Sequence, residues 1–499
     1  MAGTPENKYG LDLRRAWAQV LSEVARDKIP DILHWQDYAH IWPEWERTLA
    51  EQLNNDTYTP TRPVHVEIPK DALATRPMAL LTPLDRTVYQ AIVDQLAPAI
   101  EAELTDAVYS ARLKQSTPAR TQVKPQIREW LRFQHAGRDL HLKDGYLHAL
   151  TTDVASYFEY VDIEILIRDL RSLGGVSADS LSLLSRFLNE IQRNTNLWGL
   201  PQGPECSAIL GNYYLLPADA VLAMHPVKHV RFQDDIKIFA HSAEVLRLAH
   251  KDVVHQMRAR HLNLSVHKTK LLEGKQILEA FEDSRKDAIA YGLQIGDDAA
   301  PGDLRSLFDD ATTSSPYKDR DIRFSVTRMA DLDDPYAVPW ILDHLPDVPY
   351  LAPQLVDYLS PYTAEDPAVE RRVTEYLQDP TKNLYPFAEL HLLRMYATAP
   401  RLTHASKATA WRTLRDPAKE SFVRQFAARC IGRHASAADI SQLRAMFGQS
   451  GEYAIRRAIL VAIAEAGGAD PAWLGTVDKG DTTLRPTCAY LKSKPRLPI

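Results

Sequence analysis

Two adjacent carboxylates, Asp234 and Asp235, lie within Val230-Arg231-Phe232-Gln233-Asp234-Asp235-Ile236-Lys237-Ile238-Phe239, and no other feature constrains the fold of this chain as much. Apolar residues alternate on either side of the pair, Val230 and Phe232 before it and Ile236 and Ile238 after it, which predicts two strands joined at an acidic hairpin tip. Acidic turns are common in themselves. Upstream, Leu147 to Val154 predicts another strand, entered through the turn-forming Asp144-Gly145 and ending at Asp153. Three carboxylates on neighbouring strand ends raise one another's pKa unless cations lie between them, and such a hard-oxygen set suits Mg²⁺.

At 499 residues and 45% hydrophobic content the chain is long enough for two or three domains with separate cores. Its formal net charge of −6 gives no global sign of nucleic acid, but the average conceals an asymmetry. Residues 301–400 hold 9 Lys/Arg against 17 Asp/Glu, and residues 401–499 hold 16 against 8. The basic end could follow a phosphate backbone; a solvated helix face or a contact with the acidic stretch are the alternatives. Met1 to Gly10 lacks an apolar signal region, and Ala454 to Ala469 is short and interrupted by Arg456 and Arg457, so a cytoplasmic protein without a membrane span is expected. Cys206, Cys430 and Cys488 are too widely spaced for a zinc motif or a disulfide framework.

Residues 11–53 show helical periodicity through Leu11, Ala16, Val20, Val24, Trp42, Trp45 and Leu49, broken by Asn54-Asn55-Asp56, which predicts a helical N-terminal extension over 1–72. Arg76 to Leu96 reads as an extended piece stopped by Pro83 and followed by a helix, and residues from about 140 to 300 mix strands and helices. From 301 to 499 the pattern is helical throughout. Asp-Pro recurs at 334–335, 366–367, 379–380, 416–417 and 470–471, an N-cap followed by proline at the first helical position. The spacing is irregular, but successive short helices without strands predict a stacked α-solenoid of the HEAT type, with a plain helical bundle as the alternative.

Between the two acidic strand ends, Asn196-Leu197-Trp198-Gly199-Leu200-Pro201-Gln202-Gly203-Pro204 bends and opens a helix through Ser207, Leu210 and Tyr214. In this order the segments resemble the signature of reverse transcriptases. Asp153-Val154-Ala155-Ser156-Tyr157-Phe158 is similar to the first catalytic segment, Leu200 to Pro204 to the template and nucleotide loop, and Phe232 to Asp235 to the paired-aspartate box. Leu262 to Lys270 resembles the segment that follows, and Arg76-Pro77 through Asp85-Arg86 and Tyr109-Ser110-Ala111-Arg112 resemble blocks of the fingers. The six blocks cover about 76–275. The box departs from the family pattern, with Phe232 for the usual Tyr and Gln233 for a small or aliphatic residue, which puts primer contacts and processivity in doubt.

The resemblance implies an α+β fold of right-hand polymerase type: fingers and palm with an RRM-like antiparallel sheet over 73–300, then an all-α HEAT-like domain replacing the thumb over 301–499. It implies an RNA-directed DNA polymerase, a nucleotidyltransferase acting on dNTPs. Asp153 and Asp234 would bridge two Mg²⁺ ions, Mn²⁺ being an alternative, with Asp235 in support and the Val154 carbonyl as a further ligand. Lys268 would neutralise charge or give a proton to the leaving pyrophosphate. Gln202 and Gly203 would contact the nucleotide. Phe158 would exclude a 2′-hydroxyl, or else be a core aromatic like Tyr157. Arg76 and Arg86 would meet triphosphate or template, or else serve the scaffold.

No RNase H or maturase pattern is read after residue 300, and the helical tail resembles bacterial abortive-infection (Abi) and defence-associated reverse transcriptases. That implies anti-phage defence, homo-oligomers, and DNA synthesis begun on a protein hydroxyl, in some members without a template. Tyr350, Tyr358 and Tyr376 are candidate priming residues, taken as exposed. The alternatives are a retron-like enzyme copying an associated non-coding RNA and a catalytically vestigial nucleic-acid-binding scaffold.

Overall fold

The computed structural model describes residues 6–24, 26–114, 123–195, 198–281 and 284–498; the first residues of the N-terminal stretch, and Asn196 and Leu197 of the loop motif, lie outside the described residues. The chain forms two compact units, and it contributes to each more than once. One comprises 1–27, 43–66 and 77–283, and the other 28–42, 67–76 and 284–499.

The first unit is built on a four-stranded antiparallel sheet. Its strands, numbered after the separate pair β1 (Val64–Pro69) and β2 (Thr75–Leu80), are β3 (His148–Asp153), β4 (Lys228–Phe232), β5 (Asp235–Ala240) and β6 (Lys270–Glu273), in spatial order β4-β5-β3-β6. With helices between β3 and β4 and between β5 and β6, this is the β-α-β-β-α-β arrangement expected for an RRM-like sheet. β3 and β5 are central and pair from His148↔Ala240 to Asp153↔Asp235.

The hairpin register sets which face each strand residue occupies. Phe232 pairs with Asp235 across a two-residue turn, so Val230 and Phe232 share a face with Lys237 and Phe239, while Ile236 and Ile238 fall on the opposite face with Arg231. The two apolar alternations therefore serve different faces, and the sheet is buried on both. On one face Phe133, from the Gln126–Leu142 helix, joins Ala149, Val230, Phe239, Ile277 and Phe281. The Lys237 ammonium lies over the Phe133 and Phe281 rings, 4.9 and 4.0 Å from their centroids, which keeps its charge compatible with an apolar layer. Phe232 packs edge-on against Trp130, with centroids 5.1 Å apart.

Local signals set much of the helix placement. Thr82 caps Pro83–Glu103 by accepting from Asp85 N, with proline at the helix start. In the second unit, Asp366 and Asp470 cap Pro367–Gln378 and Pro471–Gly480, and Asp334 caps a 3₁₀ turn that runs into Val338–His344. The other two Asp-Pro pairs do not start helices. Asp379 and Asp416 accept from the amides of Thr381 and Ala418 in turns, and the following helices begin later, at Pro386 and Ser421.

From 284 on, the second unit is helical. Ala300–Thr312 packs on Asp319–Asp331, which packs on Ala352–Leu359, then Pro386–Thr398, Ser421–Arg433 and Tyr453–Glu465 in succession. Segment 28–42 is joined to this unit through buried charge. Arg457 donates to both oxygens of Asp31 (2.6 and 3.0 Å) and of Asp37 (2.8 and 2.9 Å), and Thr487 Oγ1 donates to Asp37 at 2.7 Å. All three cysteines are free and buried, and no described helix is long and apolar enough to cross a membrane.

Candidate active site

The two acidic motifs meet because β3 ends level with the β4–β5 turn. Asp153 and Asp235 are register partners; side chains directly opposite on an antiparallel pair stand on the same face with Cβ atoms about 4.5–5.5 Å apart. Asp234 occupies the turn itself. Beyond β3, Ala155 N donates to Asn263 O (2.8 Å) and Ser265 N to Asp153 O (2.7 Å) around a bridge between Val154 and Leu264. These two bonds leave the Val154 carbonyl out of the pairing. They also bring the 262–270 segment alongside, and Lys268 Nζ donates to Asp153 Oδ2 at 2.8 Å. Asp153, Val154, Asp234, Asp235 and Lys268, all singled out from the sequence, thus share one locality.

Electrostatics there are unfavourable without a further cation. Burial first, and the charge of Asp153 second, push the Asp234 carboxyl up to about 6, with Asp235 adding in the same direction. Facing carboxylates of this kind fit a hard divalent ion in their donor chemistry. The fit is partial. Among the described residues no three His, Cys, Asp or Glu side chains are gathered as a metal cage, and an ammonium, Lys268, already stands on one oxygen of Asp153.

The nucleotide loop is tied to the first motif through main chain. Leu200 N donates to Phe158 O at 2.8 Å. A Cβ on Gly199 would lie 1.8 Å from that same oxygen, so only glycine permits the approach. The sequence alone gives Gly199 no role, because a glycine just before a Leu-Pro-Gln-Gly turn is too common to stand out. Phe158 and Gln202 are half-buried and Gly203 exposed. Tyr157 is a core residue as expected, 2% exposed, with its hydroxyl donating to Gly211 O.

Other candidates lie elsewhere. Arg86 is 6% exposed and donates to Glu23 and Asp27, each at 2.7 Å. Glu23 also accepts from Glu205 N (3.3 Å), at the start of the helix that follows the loop. This guanidinium is therefore committed to the scaffold beneath the loop. Arg76 lies on β2, in the second unit. The priming tyrosines need correction, because they are not exposed. Tyr358 is 1% exposed and donates to Asp334 O (2.6 Å), Tyr376 is 5% exposed, and half-buried Tyr350 donates to Asp319 Oδ1 (2.8 Å).

Residues 68–292 match the family model described as Reverse transcriptase (RNA-dependent DNA polymerase). That stretch of the chain thus carries a reverse-transcriptase domain. Among solved structures it is similar to a chain of a partial Cas6-RT-Cas1–Cas2 complex, with 20% identity over 53% of this chain and 44% of that one and a TM-score of 0.25. It is also similar to telomerase from Candida albicans in complex with the TWJ fragment of telomeric RNA, with 11% identity over 75% of this chain and 68% of that one and a TM-score of 0.29. The chain spans less than half the length of the first of these, and both superpose weakly. No curated protein matches in sequence.

Proposed function

We propose that the chain polymerises deoxynucleotides by divalent-metal-dependent nucleotidyl transfer where β3 ends against the β4–β5 turn. The observation that carries this reading is the pairing of Asp153 with Asp235 beside Asp234, with Lys268 on Asp153. Asp153, Asp234 and the Val154 carbonyl would hold Mg²⁺, with Asp235 in support; when bound, the ions neutralise charge on the attacking and leaving oxygens. Lys268 is anchored to Asp153 only at its tip, its side chain 66% exposed, so it can leave Asp153 for the departing pyrophosphate. The tie between Phe158 and the loop supports their action on one nucleotide, Gln202 and Gly203 at its polar groups and Phe158 beneath the sugar.

The test is incubation of the purified protein with Mg²⁺, primer and template, and each labelled dNTP or NTP. Extension by dNTPs that stops on chelation is the expected result; no incorporation under any of these conditions sinks the reading.

The row of successively packed helices in the second unit supports a finer assignment to the abortive-infection and defence group, with HEAT-like repeats, homo-oligomeric assembly and priming on a protein hydroxyl. A priming hydroxyl must reach solvent, and Tyr160 and Tyr291, 48% and 64% exposed, meet that condition better than the three tail tyrosines. DNA that migrates with the protein and is released only by protease supports this assignment. Synthesis that requires a copurifying RNA would favour the retron-like alternative instead.

A further inference from the structure

Gln233, one of the two residues that depart from the family pattern, has its side chain turned into the fold. It is 8% exposed, and its side chain bridges two elements. Ser110 Oγ, in the fingers block, donates to Gln233 Oε1 at 2.8 Å, and Gln233 Nε2 donates to Ala208 O at 3.2 Å in the Glu205–Tyr214 helix. That helix leaves room for the amide at Gly211, where a Cβ would lie 2.6 Å from Gln233 Nε2.

The backbone of the same residue is held as well. Gln233 has φ 57° at the first position of a two-residue turn, a conformation that glycine ordinarily supplies. Its carbonyl accepts from Arg231 Nη1 at 3.1 Å. Arg231 is fully buried and fixed in turn by Asp219, through bonds of 2.9 and 2.5 Å, and by Asn212 Oδ1 at 3.0 Å. Asn212 Nδ2 donates to Ser110 O at 2.6 Å, which closes the network, and residues 107–109 run beside Arg231 with bonds at both its N and O. The Gln233 carbonyl belongs to the peptide plane that leads into Asp234. A plane fixed at its oxygen by a buried guanidinium, and at its Cα by a bridging side chain, fixes the direction from which the Asp234 carboxyl leaves the turn.

We infer that Gln233 is a positioning residue: its amide, with Ser110 and Arg231, holds the Asp234-Asp235 turn in the one orientation in which these carboxylates face Asp153. The inference rests on the polymerase reading for its purpose but not for its test. Gln233→Gly keeps the positive φ and removes both side-chain ties, so strain relief and loss of the bridge act in opposite directions. Amide hydrogen exchange in the purified full chain should rise about tenfold at residues 234–236 and stay unchanged at 148–152, and the Mn²⁺ dissociation constant measured by calorimetry should rise about tenfold. In the polymerase assay kcat should fall by a similar factor while KM for dNTP moves less than about twofold. Ser110→Ala should show the same pattern more weakly, and adding it to Gln233→Gly should cost nothing more, because both remove one bridge. Exchange at the turn equal to wild type, or a uniform rise across the sheet, overturns the inference. A wild-type protein that incorporates no nucleotide would fail the polymerase reading alone, since the exchange measurement still decides the role of Gln233.

Discussion

Asp234 in the first unit and Asp31 in the second are both half-buried carboxyls, yet they are shifted in opposite directions. Burial pushes each of them up. At Asp31 the Arg457 guanidinium and its hydrogen bonds more than reverse that effect and hold the group below its ordinary value. At Asp234 the neighbouring charge is Asp153, which adds to burial, and the carboxyl rises to about 6. One site has its charge matched by its own chain, as buried ion pairs in a scaffold must. The other keeps charge in excess, an arrangement that costs stability and is retained where a ligand completes it.

The most severe test of that contrast is to neutralise the excess. Asp234→Asn together with Asp235→Asn should lower nucleotide incorporation by about 10³-fold or more with the fold intact; primer extension alongside circular dichroism measures both, and retained synthesis breaks the assignment. The matched site should respond in the opposite sense. Arg457→Met removes the guanidinium that matches the charges of Asp31 and Asp37 and should destabilise the protein by about 3–5 kcal/mol in calorimetry. A change of a few tenths of a kcal/mol would mean that water reaches this pair.

The pH dependence sharpens the comparison further. With its folded pKa above the unfolded value, ionised Asp234 opposes folding above about pH 6 and has no effect below about pH 4. Asp234→Asn should therefore stabilise the metal-free protein by about 1–3 kcal/mol at pH 8, and the gain should disappear between pH 6 and 4. For Asp31 the sign reverses: the stability from its pairing is present above its unfolded pKa and lost as the pH falls below it. Equal slopes for the wild type and the Asp234→Asn variant between pH 4 and 6 would show that Asp234 is not held in this way. The smallest expected effect is at Phe158. Phe158→Ala should raise ribonucleotide use relative to deoxynucleotide about tenfold, near 1.4 kcal/mol; unchanged discrimination returns Phe158 to the core.

Short-range patterns made much of the first unit legible. The acidic hairpin, the strand ending at Asp153 and the helix that follows the stop at Pro83 are written over a few residues each, and the structure contains them. Lys268 was legible as a candidate through its motif, and the structure sets its ammonium on Asp153. What was not legible depended on partners far along the chain. Arg86 resembles a phosphate ligand until Glu23 and Asp27 are brought to it. Gln233 reads as a departure from a box until Ser110 and Ala208 meet its amide. Tyr350, Tyr358 and Tyr376 have no local signal for burial, since aromatic residues in polar helical sequence serve equally well at a surface or between helices.

By itself the sequence determined the strand ends, the turn between them and the chemical type of the groups carried there, because turn geometry and alternation act over a few residues. Only the tertiary structure decided which face each strand residue occupies, because a two-residue turn sets parity through pairing and not through composition. Only it decided, too, which charges are matched and which are left in excess, because matching depends on groups such as Arg457 and Asp31, separated by hundreds of residues, arriving within hydrogen-bonding distance.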